Sequence, residues 1–392
     1  MLRTYPIDAI GTSRPDFPIK ILTSASDFAF GPTATLLSLL PKLNALGAEV
    51  TFVGIGSAYE LVSREGGLHA IELPAGSSES RALVSELCAN NDVAVSAMSA
   101  DFLEVAAAAG LPTVWLDILS WWDDLEISPA SLKADLFISQ RSLPDGQRIA
   151  KLRSILGVRL LSVGPIVDAL ECDTTISPAH SAEFALVNLG GFRLPVEYSE
   201  AIYTAFYRGF ADFLDLLRSK CQLDLVIVSG QEGTRIASSG FGRTFEQQCV
   251  SHSEFIHMVA RAKALITPPG LIAPLEAWCS GTPVLFLPPS NQAQVAALAE
   301  YRRVGLAPRS AEKGFSLPSW YDATLIEVLR AFMTYDHARS LAAIFSETLG
   351  SEMQLERLRH AGATFIGSFG GAGTSQAAEG ILRIAQNGKT QV

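Results

Sequence analysis

The chain has 392 residues, 48 % of them hydrophobic and 18 % charged, with a mean hydropathy of +0.26. That composition supplies apolar material for two buried cores and excludes a disordered chain. A formal net charge of −10 makes a nucleic-acid polymer a poor first candidate for the partner and leaves room for a local basic pocket for one small anion.

In chain order, the compact apolar run IKILTSA at 19–25 predicts a strand, and Leu36, Leu37, Leu40 and Leu43 repeat at helical spacing in a predicted helix 33–46. Gly47 stops that helix, and a strand follows at 50–54. The unit recurs as strand 92–96, helix 102–109 closed by Gly110, and strands at 113–117, 134–139 and 160–163. Around 170–183 the pattern lapses into ECDTTISPAHSAEF, read as an interdomain linker. A second series brings strand 184–189, helix 199–218, strand 224–229, a glycine-rich loop SSGFGR and helix 254–262. Strand 264–267, helix 271–280 and strand 283–287 complete it, and GSFGGAG at 367–373 introduces a last helix, 374–386. Strand–helix–strand units at this spacing predict parallel sheets covered on both faces. The expected architecture is α/β, with two Rossmann-like doubly wound domains, 1–175 and 184–370, and the terminal helix 374–388 packed back on the first. Ligands of such sheets bind at the carboxyl ends of the strands, so the cleft between the domains is the expected site.

The positive hydropathy does not predict a membrane span. The longest uncharged stretch, 277–299, is broken by Gly281, Pro283, Pro288 and Pro289. The opening MLRTYPIDAIGTSRPDF lacks the apolar centre of a secretion signal. The five cysteines, Cys88, Cys172, Cys221, Cys249 and Cys279, form no CxxC pair. These features predict a cytoplasmic chain with neither a disulfide framework nor a metal site. There is no GxxxxGK[ST] loop, GxSxG elbow, HExxH or Asp-x-Asp pair, and the glycines at 54–56 and 370–373 lack the spacing of a dinucleotide fingerprint.

The most informative segment is ALITPPGLIAPLEAWCSGTPVLFLPPSNQAQ, residues 264–294. A buried strand ends in Pro268-Pro269-Gly270, and a helix starts near Leu271 with Pro274 in its first turn, where a missing N–H matters least. Such a helix start favours an anion, above all a diphosphate. Glu276, further along, is placed to accept hydrogen bonds from vicinal hydroxyls, or else to cap nearby N–H groups.

With Gly270, Glu276 six residues on, Gly281-Thr282-Pro283 after five more, and the loop Pro288–Gln294, the segment resembles the GT-B glycosyltransferases, particularly the donor half of the MurG-like and UDP-glycosyltransferase branch. The resemblance implies a GT-B fold, a nucleoside diphosphate sugar as co-substrate and no other cofactor. It implies that Glu276 holds the ribose, that the helix start Gly270, Leu271 and Ile272 receives the diphosphate, and that Asn291, Gln292 or Gln294 contacts the sugar. Family members often place Ser or Thr after the glycine, whereas this chain has Leu271 and Ile272, leaving phosphate to backbone amides. Gly190 and Gly191 stand where the family has a glycine pair, and Arg193 is a candidate for a phosphate or sugar carboxylate, against a tight turn with a solvated arginine. His252 lies where such enzymes clamp the base; it is either a stacking group or a surface histidine beside a helix cap.

On the first domain the loop Ser26–Thr33 lacks the family's histidine base. Asp27 is the local candidate for that role, against a turn-capping carboxylate, and Asp117 at a strand end is the second. Phe30, Gly31, Pro32 and Thr33 are expected on the acceptor, with Trp121-Trp122 as a stacking wall or as interdomain packing. The expected protein is a metal-independent glycosyltransferase that passes a sugar from a UDP-sugar to a small-molecule acceptor. The Phe30–Thr33 loop, LGGF and PPSNQ also resemble cytosylglucuronic acid synthase-like enzymes of nucleoside-antibiotic biosynthesis. That likeness implies UDP-glucuronate, with Arg193 or Arg14 on its carboxylate, and a pyrimidine such as cytosine. A UDP-sugar 2-epimerase of the same fold and a catalytically inactive partner or activator stay open, and a homodimer is compatible with the sequence.

Overall fold

The structure, a computed structural model, describes residues 18–74, 77–167, 184–190, 200–221, 223–230, 247–307 and 335–389. The first half contains β1 (Ile19–Ala25), α1 (Gly31–Ala45), β2 (Ala48–Gly54), α2 (Gly56–Val62), β3 (His69–Glu72) and α3 (Ser77–Cys88). It continues with β4 (Val93–Ala97), α4 (Ala100–Ala108), β5 (Thr113–Asp117), β6 (Leu136–Gln140), α5 (Gln147–Leu156) and β7 (Leu160–Val163). Its seven strands are all parallel, in the order β3-β2-β1-β4-β5-β6-β7. β4, β5 and β6 are buried along their whole length, as expected of strands covered on both faces. The positive mean hydropathy thus comes from covered sheets, and no described helix is long and apolar enough to cross a membrane.

The second half contains β8 (Phe184–Leu189), α6 (Glu200–Lys220), β9 (Asp224–Ser229), β10 (Gln247–Gln248), α7 (His252–Arg261) and β11 (Leu265–Thr267). Then follow α8 (Ile272–Cys279), β12 (Val284–Phe286), α9 (Gln292–Arg303), α10 (Tyr335–Leu349), α11 (Glu352–Gly367) and α12 (Gly373–Lys389). Five parallel strands run in the order β10-β9-β8-β11-β12. α12 returns to the first half, where it packs on α1 and on β4 to β7.

Most strands and helices fall within two or three residues of their sequence-based positions. α7 starts at His252 rather than 254, because Ser251 and Glu254 form a reciprocal capping box ahead of it. The sequence pattern gave no notice of α2, β3, α3 or α5; β3 is a four-residue, partly exposed edge strand with little apolar signal. The predicted linker and the SSGFGR loop lie outside the described residues.

Each sheet reverses its winding once, between β1 and β4 in the first and between β8 and β11 in the second. At such a reversal the loops after two adjacent strands diverge and leave a crevice. Behind the second crevice lies an aromatic cluster: Phe286 stacks on Tyr301 with centroids 4.9 Å apart, and Trp278 meets both edge-on. Through Trp278 it packs the end of α8 against β12 and α9.

Candidate active site

The two crevices face one another and form one cavity. Its first-half wall comes from the loops after β1 and β4 and the segment after β5: Ser26, Phe28 to Pro32, Met98, Ile118, Leu119 and Trp121. The opposite wall comes from Asn188, Gly190, Ser229, the run Val250–His252, the turn Thr267–Ala273, Glu276, Asn291 and Gln294.

The second-half wall is built around the Pro-Pro-Gly turn. The amide of Gly270 donates to Pro268 O at 2.7 Å, and the hydroxyl of Tyr301 donates to Gly270 O at 2.8 Å. Tyr301 is fully buried, which pushes its phenol far above the ordinary value and keeps it a donor. Sequence reasoning missed this residue, 31 positions downstream of the turn it supports. The first intrahelical donor of α8 is the amide of Leu275, bonded to Leu271 O, so the amides of Ile272 and Ala273 precede it. Ile272 packs toward Gly31 at the start of α1, which brings α8 against the first half.

Glu276 lies one turn into α8 with a side chain 1 % exposed. Its Oε1 accepts from His252 Nε2 at 2.6 Å. His252 is itself buried, so the surface position that sequence left open for it is corrected: it is the first residue of α7 and the capping box turns it inward. Hydrogen bonds from the backbone and hydroxyl of Ser251 hold the Glu254 carboxyl below its usual range and fix that box. Two segments 24 residues apart therefore meet at one buried carboxylate.

Strand ends supply the rest of this wall. Asn188, absent from the sequence-based site, donates to Thr267 Oγ1 at 3.2 Å and accepts from Gly190 N at 2.8 Å, tying β8 to β11 at the reversal. Phe30 crosses from the first half and packs closely on both strand ends: a Cβ on Gly190 would lie 3.2 Å from its ring, and one on Gly230 3.0 Å. Asn291 caps α9 by accepting from Gln294 N at 2.9 Å, while Gln294 Oε1 accepts from Ser290 N and Oγ. Their side-chain carbonyl oxygens are thus engaged within the loop. Gln292 is exposed on α9 and does not line the cavity, which corrects its expected place among the sugar contacts. Gly191 and Arg193, and likewise Arg14, lie outside the described residues.

On the first-half wall Phe30, Gly31, Pro32 and Trp121 line the cavity as expected, whereas Thr33 does not. α1 begins at Gly31, and its winding carries Thr33 into the fully buried interior. Asp27 and Asp117 are also outside the lining. Asp27 accepts from the amide and hydroxyl of Ser57 at 2.6 and 2.9 Å, at the start of α2. Asp117, fully buried, pairs with Arg148 at 3.0 Å and accepts from Leu119 N at 2.7 Å. The same Arg148 donates to the carbonyls of Leu119 and Leu125, and Asp123 accepts from its amide. Arg148 thereby clasps the 117–125 loop that presents Trp121. Both carboxylates hold loops in place, and their candidacy as general base loses its geometric support. A final link joins the halves: Ser253, beside His252, donates from its amide and hydroxyl to Glu65 at 3.0 and 2.6 Å.

No family model matches this chain, and no curated protein matches it. Solved structures do. UGT89C1 of Arabidopsis thaliana in complex with UDP is 12 % identical, with a TM-score of 0.57 over 94 % of this chain and 99 % of that one. The glycosyltransferase VinC in complex with dTDP is 13 % identical, with a TM-score of 0.54 over 94 % and 100 %. MurG of Acinetobacter baumannii is 12 % identical, with a TM-score of 0.51 over 93 % and 100 %. The two parallel sheets, their order and these likenesses define the fold class: the chain has the GT-B fold of such glycosyltransferases.

Proposed function

We propose that the protein is a glycosyltransferase that takes a UDP-sugar on its second-half wall and a small-molecule acceptor on its first. The observation that carries this reading is the pairing, on α8, of an open helix start with the buried Glu276 carboxylate four residues on. Four residues advance about 6 Å along a helix, the separation of neighbouring ribose and phosphate groups. A carboxylate accepts from two vicinal hydroxyls, and helix-start amides take the diphosphate. Two relatives of the same fold were solved with UDP and with dTDP, which supports a nucleoside diphosphate as the ligand class.

In the reaction the acceptor's oxygen or nitrogen lone pair forms a bond to the anomeric carbon. The carbon–oxygen bond to the diphosphate breaks, its electrons pass to the phosphate oxygen, and the acceptor's proton passes to water. Amides of Ile272 and Ala273 stabilise the departing charge. With Asp27 and Asp117 committed to loops, the site suits an acceptor atom whose proton is weakly held, such as a phenol oxygen or a ring nitrogen. A glucuronate donor and a pyrimidine acceptor are the finer form of the proposal. They require a cation for the sugar carboxylate, and no lysine or arginine lines the cavity among the described residues.

Epimerisation needs acid–base groups around the sugar. Among the described lining residues only His252 and Glu276 bear acid–base side chains, and they bond to each other, which favours transfer. The test is UDP release from UDP-sugars with and without a panel of acceptors. Acceptor-dependent release supports transfer; turnover of donor alone to its epimer supports the second reading; binding of no nucleotide supports an inactive partner.

A further inference from the structure

A histidine and a glutamate from different helices, both nearly closed off from water, meet on the wall of the cavity. We propose that His252 is a positioning residue: its Nε2–H holds Oε1 of Glu276 and leaves Oε2 to read the hydroxyls of a ribose. The ribose part rests on the donor reading of Glu276; the state of the pair does not.

His252 and Glu276 line the cavity with side chains 5 % and 1 % exposed, and Nε2 lies 2.6 Å from Oε1. A carboxylate oxygen only accepts, so Nε2 carries the proton of this bond. Among the described residues it is the one hydrogen bond of the Glu276 side chain. Oε2 takes no donor from the protein, yet it is not among the fully buried orphan atoms and keeps accessible surface. The two oxygens therefore differ: the protein binds one, and the other is left to a ligand.

The imidazole is itself held on three sides. Before it, Ser251 and Glu254 close the capping box that fixes the backbone at the start of α7. After it, Ser253 is bonded through its amide and hydroxyl to Glu65 of the first half. Further along, Thr282 Oγ1 donates to Val259 O at 2.8 Å, a buried bond that joins α7 to the turn after α8. α7 and α8 are thus laced at two levels, and the ring is in place before any ligand arrives.

What this arrangement does follows from side-chain entropy. An unrestrained glutamate must be ordered by the ligand it binds, at a cost of about tenfold in affinity. Glu276, held at one oxygen, offers an acceptor that is already ordered, and a preset site binds more tightly than one assembled on arrival. A buried pair of this kind adds little to stability over apolar side chains of similar volume, so stability alone gives no reason for a polar pair here.

The experiment is calorimetric titration of UDP and of dideoxyuridine diphosphate, which lacks both ribose hydroxyls, into the full chain and its His252→Phe, His252→Gln and Glu276→Gln variants. The preference for UDP is expected to fall about tenfold in His252→Phe. It is expected to return in part in His252→Gln, whose amide N–H can reach the same oxygen. Affinity for the dideoxy ligand is expected to stay within about twofold in both, which a general loss of local structure would not give. In the unaltered protein, two-bond proton–nitrogen correlation spectra are expected to show His252 Nε2 protonated before any ligand is added. An Nε2 without a proton overturns the proposal whether or not the variants fold, as does a His252→Phe protein that keeps the full preference. A preference lost in Glu276→Gln but kept in His252→Phe refutes this inference and leaves the donor reading standing. Equal binding of the two ligands by the unaltered protein refutes the donor reading, and the ribose role of His252 falls with it.

Discussion

Replacing Tyr301 by phenylalanine isolates a single bond beneath the donor side of the cavity. The hydroxyl donates to Gly270 O at 2.8 Å from a ring that is 0 % exposed. Phenylalanine keeps the stack on Phe286 and the edges of Trp278, so the loss is one hydrogen bond and a hydroxyl-sized void. An orphaned buried acceptor costs about 1–3 kcal/mol. Gly270 is only half-buried, so water replaces part of the bond and the expected cost is about 1 kcal/mol, at the lower end of that range. For a domain of this size that lowers Tm by about 2–4 °C in scanning calorimetry. The turn that begins α8 also loosens, and UDP affinity is expected to fall severalfold in titration calorimetry. A Tyr301→Phe variant melting at or above the unaltered protein, with unchanged UDP affinity, would refute the support assigned to this bond.

Three other outcomes are expected. Arg148→Ala leaves Asp117 buried without its partner and releases the 117–125 loop, at a cost of about 3–5 kcal/mol by denaturant unfolding; an effect below about 1 kcal/mol would contradict the clasp. Glu65→Ala removes both bonds to Ser253 and is expected to increase the radius of gyration in small-angle scattering, whereas an unchanged profile would show that other contacts hold the halves together. The Glu254 carboxyl is lowered in the folded chain, so its stabilisation of α7 is full above its ordinary value of 4.5 and disappears as pH falls through the lowered one. Glu254→Gln should flatten that part of the acid unfolding curve; an identical curve would remove Glu254 from the account.

How much of this was legible in the sequence depended on distance along the chain. The Gly270–Glu276 spacing is local, and a strand, a turn and a helix carry both residues to the cavity wall. Asn291 and Gln294 followed for the same reason, while Gln292 did not, because one step along a helix turns a side chain by about 100°. Asp27 and Asp117 were visible as carboxylates at strand ends, but their partners, Ser57 and Arg148, lie 30 and 31 residues further on. No local pattern distinguishes a carboxylate that faces a substrate from one that anchors a loop. His252 carried the same ambiguity until folding set it against Glu276. Asn188 and Tyr301 gave no signal at all, since an asparagine in a strand and a tyrosine in a helix acquire their roles only through the elements they touch.

Central to the account is Glu276 as the ribose anchor of a nucleoside diphosphate, and one thermodynamic cycle tests it. UDP and deoxyuridine diphosphate are titrated into the unaltered protein and into Glu276→Gln. Bonds to a charged acceptor are worth about 1.5–3 kcal/mol, so the substitution is expected to weaken UDP by roughly tenfold to a hundredfold and the deoxy ligand far less. If UDP fails to bind the unaltered protein, or binds both proteins equally well, Glu276 is not that anchor and the donor site lies elsewhere.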